Sequence, residues 1–196
     1  MNRSSRIAGF TLIEVVVAIG IFTIIIGAVG LFESNIFSYQ KSASNTMNTV
    51  QDAEVILKTI SRDLRMASQG SDGSYALQIT ATDTLEFFAD INGDGLKERV
   101  RYSLIGNDLY RTLLMPTGSP LSYSGAESTS TILTDVVNTS LTPVFSYFDG
   151  TYTGTTTGNL SQPVSADAVR LIEISLILNG KTYTTEVTPR NLKDNL

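Results

Sequence analysis

The side chains able to do chemistry in this 196-residue chain are mostly carboxylates, because cysteine and histidine are both absent. Without a thiol there is no disulfide and no thiolate nucleophile, although that alone does not fix the compartment. Without an imidazole the commonest general base and the commonest nitrogen ligand for a transition metal are missing. A Ser-His-acid relay and a zinc enzyme lose their usual groups. Paired carboxylates could in principle cleave a glycosidic bond, but nothing beyond ordinary abundance marks such a pair among the 19 acidic residues. The expectation is therefore a protein that is not an enzyme. Two placements of acids stand out: Glu14, inside a long apolar run, and the segment from Asp90 to Glu98.

The segment Asp90-Ile91-Asn92-Gly93-Asp94-Gly95-Leu96-Lys97-Glu98 sets oxygen-bearing residues at alternate positions, with a glycine after the third. It resembles the first half of an EF-hand calcium loop. Asp90, Asn92 and Asp94 would bind through side chains, Leu96 through its carbonyl, and Glu98 directly or through water. The position of the closing bidentate glutamate is taken by Arg101. The other reading is a plain strand-connecting turn, since Asn-Gly and Asp-Gly supply the backbone angles that turns need. A metal here would be a structural calcium that stiffens the loop. No other cofactor is called for.

Glu14 poses a different problem. The chain opens MNRSSRIAG and continues with 23 residues, Phe10 to Phe32, that are apolar or small apart from Thr11, Glu14 and Thr23. That length is close to the ~20 residues a helix needs to cross a bilayer. Arg3 and Arg6 precede it, so the leader should stay cytoplasmic and the remainder should be exported. This implies a single pass through the inner membrane. The basic region ends at a glycine before the apolar run, unlike an ordinary signal peptide. A carboxylate inside that run costs a few kcal/mol unless a partner compensates it. Cleavage after Gly9 would create such a partner, the new α-amine of Phe10. On a neighbouring subunit that amine could meet Glu14, offset desolvation and set the axial register. The bland alternative is a signal anchor with a chance glutamate.

Gly9-Phe10-Thr11-Leu12-Ile13-Glu14 resembles the prepilin processing site of type IV pilins and type II secretion pseudopilins. The resemblance implies cleavage between Gly9 and Phe10 by prepilin peptidase, N-methylation of Phe10, and a filament core built with other pilin subunits through the N-terminal helix. It covers the first 32 residues closely. Farther along, Ile60 to Ala67, Asp90 to Leu104 and Val187 to Leu192 are similar to W-type minor pilins and, more distantly, to J-type minor pseudopilins. Major pilins often carry a proline in the apolar helix and a C-terminal disulfide, and this chain has neither.

The elements that must position these residues follow from periodicity. Ile36, Ala43, Val50, Leu57 and Leu64 recur seven apart, with a second row at Tyr39, Thr46, Ala53, Ile60 and Ala67. Alternating spacings of three and four put both rows on one helix face. Lys41, Asp52, Lys58 and Arg62 fall elsewhere, no proline occurs before Pro116, and Gly70 supplies a stop. The expectation is one helix from Phe10 to about Ser68, on the order of 90 Å long. Period-two patterns then predict strands at Thr84–Ala89, Arg99–Leu104, Asp108–Leu114, Val144–Phe148, Ala168–Leu178 and Thr182–Thr188. Asn179-Gly180 is a two-residue hairpin signal, with Ile172, Ile174, Leu176 and Leu178 facing the core. Pro116–Thr131 and Asp149–Ala166 read as polar loops.

The expected fold is α+β and pilin-like: a leader at 1–9, a long helix at 10–68 (transmembrane over 10–32, amphipathic over 33–68), and a β-rich domain at 69–196 with the helix packed against an antiparallel sheet. Removing Arg3 and Arg6 from the 14 basic residues leaves 12 against 19 acidic ones, a balance of −7. Such a chain suits phosphate backbones poorly, so no nucleic-acid partner is expected. A local patch at Arg99, Arg101 and Arg111 is the one feature that would favour DNA uptake. Those arginines more simply face solvent or pair with acids across a sheet. The function expected is that of a minor pilin in a type IV pilus or its tip complex. The alternatives are a minor type II secretion pseudopilin and an anchored adhesin or DNA-uptake pilin.

Overall fold

The computed structural model describes residues 11–154, 158–162 and 164–190, with side chains for all of these except 28–49. Among the described residues one helix, α1 (Leu12–Arg65), precedes eight strands: β1 (Leu77–Thr80), β2 (Thr84–Ala89), β3 (Glu98–Ile105), β4 (Asp108–Leu114), β5 (Ser128–Leu133), β6 (Phe145–Phe148), β7 (Leu171–Leu178) and β8 (Lys181–Val187). The architecture is α+β, with every strand pair antiparallel. The chain forms two compact units, residues 1–47 and 48–196.

In the second unit α1 ends three residues before the expected Ser68. The amide of Met66 is shared between the carbonyls of Arg62 and Asp63, and Ala67 N–H reaches back only to Leu64. These tightened bonds close the last turn. Ser68 N–H then donates to Phe88 O at 2.9 Å, and Ala67 bridges to Ala89, so β2 takes up the chain. Arg62 and Arg65 sit in the last turn, where positive charge complements the helix dipole.

The predicted apolar rows are buried where they are described. Ala53, Ile60, Leu64 and Ala67 are fully enclosed, Leu57 nearly so, and Val50 is half-buried. Ile36, Tyr39, Ala43 and Thr46 have no described side chains. The stripe joins one hydrophobic cluster with Leu85 and Phe87 of β2, Val100 and Tyr102 of β3, and Ile172, Ile174 and Leu176 of β7. Burying each large aliphatic side chain contributes roughly 1.5–3 kcal/mol relative to exposure.

Two sheets form where one was expected. The first is a five-stranded meander, β1-β2-β3-β4-β5, and the second has the order β6-β7-β8. In β7 the side chains of Ile172, Ile174, Leu176 and Leu178 are all buried, and the predicted alternation holds through the strand. Asn179 and Gly180 turn the chain into β8 with φ of 49° and 71°. Positive φ at both central positions makes the mirror-image turn that matches strand twist. The segment Pro116–Thr131, read as a loop, instead gives its last residues to β5, which pairs with β4. Its Ser and Thr residues lie exposed on an edge, and the Thr112 and Thr129 hydroxyls meet at 2.9 Å across the pair. β1 was likewise not anticipated.

Candidate functional site

The N-terminal motif is described from Thr11 onward; Gly9 and Phe10 lie outside the described residues. Thr11 caps α1. Glu14 Oε2 accepts from Thr11 N–H at 2.8 Å and from the Thr11 hydroxyl at 2.8 Å. In return the amide of Glu14 donates to Thr11 Oγ1 at 3.4 Å. This reciprocal exchange is a capping box, which satisfies two of the amides that a helix start leaves without partners. Glu14 thus has a role at the helix start besides that of an intramembrane acid. The Thr-x-x-Glu spacing was the signal for its second role.

Beyond the cap, apolar side chains point outward in every direction. Leu12 is 83% exposed, Val17 52% and Ile24 73%. A helix that is apolar all round belongs in lipid or in the core of a bundle. Among the described residues no helix is long and apolar enough to cross a membrane. Described side chains stop at Gly27, and residues 28–32 of the expected span lie outside them.

The loop between β2 and β3 folds its polar side chains onto its own backbone. Asp90 Oδ1 accepts from Gly93 N–H at 2.7 Å and Oδ2 from Gly95 N–H at 3.0 Å. Asn92 Oδ1 accepts from Asp94 N–H at 2.9 Å, and Asp94 Oδ1 from Leu96 N–H at 2.8 Å. Gly93 and Gly95 hold φ of 78° and 89°, a region that L side chains enter only with strain. Desolvation pushes the Asp90 carboxyl up, but the two amide bonds and the nearby Lys97 outweigh it and hold the group below its usual range. Lys97 Nζ stands 3.5 Å from Asp90 Oδ2. Glu98 opens β3 and is buried, with Oε2 accepting from Ile91 N–H at 2.7 Å. Among the described residues no three His, Cys, Asp or Glu side chains converge as a metal cage. The three acids of the predicted ligand set, Asp90, Asp94 and Glu98, therefore do not converge on one point, and the set's other two oxygens are the Asn92 amide and the Leu96 carbonyl.

The arginines do not form one patch. Arg101 Nε donates to Glu86 Oε2 at 2.6 Å, and Arg99 Nη2 to Glu127 Oε1 at 2.8 Å. Both therefore pair with acids on neighbouring parts of the first sheet. Arg111 turns the other way and donates to Asp63 Oδ2 at 2.7 Å. Asp63 is fully buried, and the Tyr102 hydroxyl donates to the same oxygen at 2.7 Å. Burial, and then the carboxylate of Asp63, push the Tyr102 phenol up. This cluster is not among the sites expected from the sequence. Asp63 follows Ile60 by three positions, on the apolar side of the helix, and that placement was its only signal.

Residues 4–30 match the family described as the prokaryotic N-terminal methylation motif. No curated protein matches the chain. The match contains Gly9, Phe10, Thr11 and Glu14, and it coincides with the capped, outward-facing apolar start of α1. The N-terminal segment of this chain is thus a type IV pilin- or pseudopilin-like prepilin signal, the kind that prepilin peptidase processes.

Proposed function

We propose that this protein is a minor pilin, most like the W-type subunits, and that its work is association rather than catalysis. In this reading it enters the inner membrane as a single-pass protein with its β-rich unit outside the cytoplasm. Prepilin peptidase then cleaves after Gly9, Phe10 is N-methylated, and the helix joins other pilin subunits in a filament or its tip complex. The observation that supports the reading best is a helix start apolar on every side, interrupted by one carboxylate three residues from its cap. Such a surface needs a hydrocarbon layer or a bundle of like helices around it. The Phe10 amine and Glu14 would set register between neighbours.

The intact mass of the protein purified from its host membrane tests the first step. The expected mass lacks residues 1–9 and carries one added methyl group, and Gly9→Ala retains the leader. Normal processing of Gly9→Ala would sink the proposal. A second reading, a minor pseudopilin of type II secretion, rests on the more distant likeness to J-type subunits. The identity of co-purifying subunits separates the two.

A further inference from the structure

An associating subunit has no evident need for the loop between β2 and β3, which closes on itself through Asp90, Asn92 and Asp94. One buried atom there lacks a partner. Glu98 is 1% exposed, its Oε2 is fixed by the loop amide of Ile91, and its Oε1 has no hydrogen-bond partner. A buried carboxylate oxygen without a donor is costly, and its bonded twin ties the group to the loop. The loop's other acceptors are only partly used. Asp90 accepts from two backbone amides and Lys97, and Asp94 from Leu96 N–H and the Asn92 side-chain amide, while a carboxylate offers about four lone-pair sites.

We propose that this loop binds one calcium ion. Asp90, Asn92 and Asp94 supply side-chain oxygens and Leu96 its carbonyl, and the orphaned Oε1 of Glu98 is reached through a metal-bound water, since the three carboxylates do not converge directly. Oxygen donors at alternate positions of a loop with positive φ at its glycines suit a large, hard cation with irregular coordination. Magnesium demands near-ideal octahedral geometry and suits them less. Arg101, in the place of the usual closing glutamate, is held by Glu86 and Glu127, so water completes the shell. Lys97, beside Asp90, is the positive charge that calcium displaces. That competition and the missing bidentate ligand place the affinity in the weak class, with Kd of about 10⁻⁴–10⁻³ M. The proposal does not depend on the filament reading.

The test is a calorimetric titration of calcium chloride into the full-length chain in detergent, after chelator treatment, with thermal melts alongside. Wild type should bind one calcium and melt higher in saturating calcium, with a smaller response to magnesium. Asp94→Asn keeps the acceptor for Leu96 N–H but loses charge and the exposed hydrogen bond from the Asn92 side-chain amide. It should melt like wild type without calcium and bind calcium at least about tenfold more weakly. Glu98→Gln should lose the calcium-dependent rise in melting temperature. No heat up to about 10 mM calcium, an affinity above the weak range, or equal calcium affinity in Asp94→Asn and wild type would overturn the site.

Discussion

Asp63 shows how one residue can commit a helix to a sheet. Its carboxylate is fully buried and tolerable because Tyr102, Arg111 and Arg62 all donate to it. Removing one side of a buried pair leaves the other charge uncompensated, which typically costs 3–5 kcal/mol. Asp63→Ala should therefore lower the stability of the full-length protein by about 3–5 kcal/mol, read from thermal melts in detergent. A loss below about 1 kcal/mol would show the cluster to be solvated like a surface pair. Why this site was hidden in the sequence is instructive. The donors Tyr102 and Arg111 stand 39 and 48 residues away, and helix periodicity says nothing about what meets a position across the core. The capping box was legible in principle, since its two residues are three apart and need no tertiary information.

Among elements, the strands with an apolar face were readable and the polar edge was not. β4 runs over the predicted span, and β7 and β8 flank the predicted turn, because alternation and turn chemistry are local. β5, with the sequence STSTIL, carries no alternating apolar face; it exists because β4 offers it a hydrogen-bonding edge. The division into two sheets depends on which strands find each other, and composition does not record that. Across the β7–β8 hairpin Glu173 directly opposes Glu186, whose carboxylate also accepts from the Tyr152 hydroxyl at 3.1 Å. Partial burial, and then Glu186, raise the Glu173 carboxyl above its ordinary value of 4.5. A raised carboxylate favours the protonated form in the fold. Its charge therefore subtracts from stability above the folded pKa, and that penalty fades as pH falls toward the unfolded value. Glu173→Gln should melt higher than wild type at neutral pH, with the difference closing as the buffer is taken down to about pH 4. An unchanged difference across that range would show that charge repulsion is not the cause.

At the scale of the molecule, the first unit carries the prepilin signal and the second carries the packed core. Length and periodicity made the long helix legible, and the Gly-Phe-Thr-Leu-Ile-Glu order made its N-terminal role legible. Which machine the subunit serves depends on partner surfaces, and those are not periodic. In the proposed filament, Glu14→Ala should leave the protein processed and membrane-bound but deplete it from sheared filaments, measured by immunoblot of both fractions. Wild-type entry would remove Glu14 from any register role. The capping box adds a consequence for assembly. A carboxylate already accepting two hydrogen bonds from its own helix gains less from an incoming ammonium than a bare one would. The apolar helix faces, rather than this one ion pair, would then carry most of the hold between neighbouring subunits.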